Sequence, residues 1–190
     1  ARNFLLPKKM AKVADNQAVK ELKEQNKSAE IKAQKEYEEA VELGDKMKEM
    51  NWTPHQFLTF ASIVERESGQ GETDRPMIAG VFMNRLKKGM LLQSDITVNY
   101  AWQRTGVDVS YSHLEINNTY KYTGLPVGPI SSVPATTMEA CLQYKKHDYF
   151  YFFAIKDAQD KSKTVVVYTK TYEEHTQQVK KAKDAGLWLD

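Results

Sequence analysis

Eighteen of the twenty aromatic residues in the chain lie after residue 50, and only Phe4 and Tyr37 precede it. That asymmetry decides where a core can form, because aromatic side chains carry the largest apolar area a fold can bury. Residues 1–50 are dense in Lys, Glu, Gln and Ala, with widely spaced apolar positions at Val19, Leu22, Tyr37, Val41 and Met47. They read as a charged helical arm, broken near Asn26-Lys27-Ser28, that packs rather than binds. Residues 51–190 then form the compact domain, long enough to bury a core without disulfides or metal.

Helix punctuation organises that domain. In "NWTPHQF", Thr53 is an N-cap, Pro54 fits the first helical position and Gln56 completes a capping box. The helix should run to Ser68 and stop at Gly69. A second covers Asp74 to Lys88 and is closed by Gly89, with Asn84 bonding to a loop in a structural role. Residues 105–135, rich in Gly, Pro, Asn and Ser, read as a long ordered loop of functional kind. Thr136 to Tyr144 reads as a helix. "DYFYFFAI" and "KTVVVYT" are aromatic and β-branched runs that pair antiparallel across Asp157–Lys163. The capping box Thr171–Glu174 opens a last helix toward Leu187. The order predicts an α+β fold: a helical N-terminal arm, then helices with a small antiparallel sheet and a long ordered loop.

The stretch "ASIVERESGQGETDR" carries the chemical signal. At about 100° per residue, Phe57, Phe60, Ala61 and Val64 share one stripe of the helix from Pro54. Glu67 falls on its flank, Glu65 turns further away and Arg66 points nearly opposite. Partial burial and the negative end of the helix dipole both disfavour a charged Glu67, raising its pKa toward the range of a general acid. Two readings are open: a catalytic acid at the edge of a core, or a helix-end carboxylate bridging to Arg66 or Arg75. Glu65 suits a supporting or solvated role.

Other chemistries find little support. A net charge of +2 gives no strong field for nucleic acid, and no basic patch alternates with stacking aromatics. His55, His113, His147 and His175 are scattered without metal-ligand spacing, and Cys141 sits on an apolar helix. No glycine-rich phosphate loop, signal peptide or apolar run of about 18 residues occurs. No cofactor is expected.

"ASIVERES", followed by "VFMNRLKKGMLLQSDITVNY" and "NTYKYTGLPVGPISSVP", resembles the endolytic murein transglycosylase family (MltG, YceG-like). The resemblance runs from about residue 57 to residue 180, with Ile96 and Val127 standing where the family usually has proline. It does not place the charged segment before residue 50, and the family's LysM-like domain is absent. It implies cleavage of the β-1,4 bond between MurNAc and GlcNAc, leaving a 1,6-anhydroMurNAc end, with Glu67 as catalytic residue. It also implies peptidoglycan strands as substrate and cell-wall synthases as partners. The implied place is the extracytoplasmic face of a bacterial membrane, held by an N-terminal helix outside this sequence.

Such a reaction needs one carboxyl group and polar groups to position sugars. Gln93, Ser94, Asp95, Thr97 and Tyr100 are candidates in "LLQSDITVNY", as are Asn118, Thr119 and Tyr120 in the loop. Gln93 and Asp95 suit hydroxyl and N-acetyl recognition, whereas Ser94 or Asp95 could instead cap a short helix. The tyrosines either stack on sugar faces or pack half-buried. Glu67 is expected to face a cleft walled by residues 91–100 and 117–130. Two alternatives remain, an inactive glycan-binding module and a lysozyme-like hydrolase using Asp95 as second carboxylate.

Overall fold

The computed structural model describes residues 17–69, 73–102 and 119–189. The chain divides into two compact units, with the boundary between Glu49 and Met50.

The first unit is dominated by α1, Gln17–Met50, a helix of 34 residues. It runs unbroken through Asn26-Lys27-Ser28, contrary to the expected break. None of the three is Gly or Pro, and each costs only tenths of a kcal/mol in a helix surrounded by Lys, Glu, Gln and Ala. Side-chain bonds one turn apart add support, from Gln34 to Glu38 at 2.8 Å and from Lys46 to Glu42 at 2.7 Å. Among the described residues, no helix is long and apolar enough to cross a membrane.

The second unit is built around α2, Pro54–Glu67. Its capping box is formed in both directions: the Gln56 amide donates to Thr53 Oγ1 at 3.2 Å, and the Thr53 amide to Gln56 Oε1 at 2.8 Å. Phe57 and every residue from Thr59 to Val64 are buried, so α2 is enclosed nearly all round rather than along one stripe. Its buried hydroxyls are satisfied locally: Ser62 Oγ donates to the Thr59 carbonyl at 2.7 Å and accepts from the Ile130 amide at 3.0 Å.

Three helices pack on α2: α3 (Arg75–Lys87), α4 (Asp95–Ala101) and α5 (Ala135–Leu142). Gly80, inside α3, lies against the Lys145 carbonyl and the His147 ring, where a Cβ would collide with both. Helix α5 begins after Pro134 without a side-chain cap, one residue ahead of the expected Thr136. The expected loop shows as turns from 119 to 134; residues 103–118 lie outside the described residues.

Strands β1 (Tyr151–Lys156) and β2 (Thr164–Thr169) pair antiparallel, with Tyr151 opposite Thr169 and Lys156 opposite Thr164. A lone hairpin is marginal in water. Here α6, Tyr172–Asp184, packs on both strands and α3 packs on β1. Phe82 meets Phe152 edge-on at 5.7 Å and Phe153 stacks on Trp188 at 5.9 Å. Helices and a separate small antiparallel sheet make this an α+β fold.

Candidate active site

Helix α2 ends at Glu67, with Ser68 as C-cap and Gly69 at φ 53°, a left-handed position that suits glycine. Glu65 and Glu67 stand about 200° apart around the axis, so the same helix end delivers them to different surroundings. Glu65 Oε2 accepts from Thr137 Oγ1 on α5 and lies 3.3 Å from Arg75 Nε, in a mostly buried ion pair. Arg75 therefore pairs with Glu65 and not with Glu67, and Arg66 is exposed. Glu67 turns the other way, into a cleft.

That cleft has a volume of about 250 Å³. Beside Glu67 its walls are Arg85 of α3, Leu92, Gln93 and Asp95 of the chain entering α4, and Phe152, Phe153 and Val166 of the hairpin. Ser94 is the N-cap of α4, yet its side chain does not cap. Its Oγ donates to Glu67 Oε1 at 2.5 Å instead, and Ser94 is buried. Burial pushes the Glu67 carboxyl from its ordinary 4.5 up to about 7, and the Asp95 charge adds to the rise. The Ser94 hydrogen bond and the Arg85 cation oppose it. A carboxyl so poised exchanges its proton readily near neutral pH.

The other sequence candidates divide by environment. Gln93 and Asp95 line the cleft, Gln93 at φ 48°. Thr97 and Thr119 are buried and serve the backbone. Thr97 Oγ1 donates to the Ser94 carbonyl at 2.7 Å, Thr119 Oγ1 accepts from the Ser94 amide at 2.9 Å, and the two hydroxyls lie 2.8 Å apart. Together they fix the turn that presents Ser94. Tyr120 donates its hydroxyl to Asp95 Oδ1, and burial with that acidic partner holds its pKa well above the usual tyrosine value. Tyr100 is exposed and is not part of the cleft wall. Asn118 lies outside the described residues.

Two parts of the cleft are missing from the sequence reading. One is the hairpin wall, whereas none of residues 119–130 lines the cleft and residues 117 and 118 lie outside the described residues; "YFF" places aromatics on both faces of β1, a hint that both faces are covered. The other is Arg85, the first of three cations that follow the apolar run "MIAGVFM" and only 7% exposed. Asn84, beside it, donates to the carbonyls of His147 at 2.8 Å and Tyr149 at 2.9 Å, so it grips the approach to β1 and not the long loop. Among the described residues no group of three His, Cys, Asp or Glu side chains could hold a metal ion.

A family model described as the YceG-like family matches residues 3–181, reaching back over the charged segment that motif comparison left unplaced. An endolytic murein transglycosylase of Bacillus subtilis (strain 168) is 46% identical over 132 residues, which is 68% of this chain and 35% of that protein. The chain thus spans about a third of that relative's length. A crystal structure of a yceG-like protein from Listeria monocytogenes, 41% identical, superposes with a TM-score of 0.59 over 70% of this chain and 41% of its own. A relative of different name, the large ribosomal subunit protein bL9 of Clostridioides difficile (strain 630), is 46% identical over 99 residues, 52% of this chain and 58% of that one.

Proposed function

Because the chain belongs to the YceG-like family, we propose that it is an endolytic lytic transglycosylase acting on peptidoglycan strands at the outer face of a bacterial membrane. The observation that carries this reading is Glu67, a carboxyl group half-buried in a cleft with a pKa of about 7, while the Asp95 carboxylate in the same cleft is engaged by the Tyr120 hydroxyl. A transglycosylase needs one such group, because the attacking oxygen comes from the substrate.

In this reading protonated Glu67 gives its proton to the oxygen bridging MurNAc and GlcNAc as the bond from C1 to that oxygen breaks. The resulting carboxylate faces the electron-poor C1 and stabilises it. It then takes the proton of the MurNAc C6 hydroxyl while that oxygen bonds to C1, which closes the 1,6-anhydro ring and restores the acid. Ser94 Oγ, donating to Oε1, orients the carboxyl so that Oε2 meets the sugar. Gln93 and Asp95 offer an amide and a carboxylate to sugar hydroxyls and the N-acetyl group. Thr97, Thr119 and Tyr120 hold those groups in place.

Incubating the purified chain with peptidoglycan and weighing the soluble products by mass spectrometry tests this. Anhydro-muropeptides or shortened anhydro-ended strands support it. New reducing ends mean that water attacks, and binding without new ends means that the fold serves as a glycan-binding module.

A further inference from the structure

Arg85 is held by two carbonyl groups that belong to opposite walls of the cleft. Its Nε donates to the Phe150 carbonyl at 2.6 Å, one residue ahead of β1. Its Nη1 donates to the Leu92 carbonyl at 2.7 Å, directly before Gln93 and Ser94. The guanidinium also lies over the Tyr151 ring, 5.1 Å from its centre. A planar fork that reaches two acceptors in different directions is a property of arginine, and the single ammonium of lysine does not reproduce it. Burying an arginine is costly, and burial lowers its pKa. A hydrophobic residue would pack α3 against β1 more cheaply, so the charge itself calls for an explanation.

We propose that Arg85 is the positioning residue of this cleft, clamping the Ser94 loop to the hairpin and setting a fixed positive charge opposite Glu67. The clamp keeps Ser94 Oγ on Glu67 Oε1, since the Leu92 carbonyl it holds lies two residues before Ser94. The charge favours the carboxylate that forms as the proton leaves, so it supports proton donation, the first half of the reaction. Glu67 is faced by Ser94 and Asp95 from the start of α4, by Tyr120, and by Arg85 from α3. Arg85 is itself faced by Tyr151 from β1, by Tyr120, and by His175 from α6, whose pKa burial lowers first and Arg85 second. Within this set Arg85 is the permanent cation that acts on Glu67.

The kinetic part of the proposal rests on the transglycosylase reading; the electrostatic part does not. Both are tested on the full chain with Arg85→Met and Arg85→Lys. The side-chain carboxyl carbon of Glu67, identified by its loss in Glu67→Gln, is titrated by NMR, and cleavage of peptidoglycan is followed against pH. Arg85→Met should move the Glu67 midpoint upward from that of the parent chain, and shift the falling alkaline limb of kcat/KM with it. Arg85→Lys should leave the midpoint near that of the parent while kcat drops at least about tenfold, with KM within about twofold, because the charge survives and the clamp does not. A folded Arg85→Met with an unmoved Glu67 midpoint overturns the electrostatic role. Arg85→Lys with the parent kcat overturns the clamp, and that variant decides alone if the methionine chain does not fold: a Glu67 midpoint well away from that of the parent, although the positive charge is kept, then counts against the charge. If the parent chain cleaves nothing, the transglycosylase reading fails while the NMR titration still judges Arg85.

Discussion

Glu65 and Glu67 differ by two positions and by everything around them. Glu67→Gln keeps the side chain's size but cannot give or take a proton. Cleavage should fall by about 10²–10⁴-fold or more, since one group serves both transfers, with glycan binding retained. Anhydro-muropeptide yield per hour measures this. Glu65→Gln should lose far less activity and instead destabilise the fold by about 1–3 kcal/mol, because it removes the counter-charge of a buried Arg75. Urea midpoints separate the two effects; equal loss of cleavage in both variants would refute the assignment. Burial raises the Glu67 pKa from 4.5 to about 7, so the folded chain holds that proton more tightly than the unfolded chain does. The resulting stability is complete below about pH 4.5, declines as pH rises toward 7 and is absent above it. At about 1.4 kcal/mol per pKa unit the loss is on the order of 3 kcal/mol. Glutamine does not titrate, so the stability of Glu67→Gln relative to the parent should grow between pH 5 and pH 8. A difference that stays flat across that range would mean that Glu67 is not buried.

At the scale of elements, α2 is a buried axle whose two ends do different work. Its N-terminal capping box is exposed and remote from the cleft, so Thr53→Ala should cost about 1 kcal/mol and leave cleavage unchanged. Thermal unfolding and product yield, measured side by side, check this. Helix α3 gives a sharper case. Gly→Ala inside a helix ordinarily stabilises by about 0.5–1 kcal/mol. At Gly80 the new methyl would strike the Lys145 carbonyl and the His147 ring, so the sign should reverse, with a loss of about 1–3 kcal/mol. The same close approach lets Asn84 and Arg85 reach the carbonyls ahead of β1, so Gly80→Ala should also weaken cleavage. A stabilised Gly80→Ala chain would show that the helix and the 145–147 segment are free to separate.

For the whole molecule, the division between Glu49 and Met50 leads to a direct expectation. We propose that residues 51–190 form the transglycosylase-like domain and residues 1–50 a separate helical arm. A chain beginning at Met50 should then unfold in one cooperative transition, within about 4 °C of the full chain, the shift that about 1 kcal/mol produces in a domain of this size. Calorimetry of the two chains compares them. A much lower or broadened transition would mean that the arm is part of the same cooperative unit.

The sequence by itself determined what depends on neighbours along the chain. Thr53 and Gln56, Thr171 and Glu174, and the stops at Gly69 and Gly89 set helix ends through bonds spanning three or four residues, so their positions are written locally. The aromatic imbalance between the segments before and after residue 50 likewise placed the core, and helix periodicity separated Glu67 from Glu65. Tertiary structure alone decided the rest. That Ser94 serves Glu67 rather than its own helix, that Arg75 answers Glu65, and that the hairpin closes the cleft all depend on groups 10 to 99 residues apart meeting in space. No local pattern encodes such meetings. Arg85 shows why: it stands among Asn84, Lys87 and Lys88 at the polar end of its helix, and only the two carbonyls that converge on it, from Leu92 and Phe150, explain a buried charge.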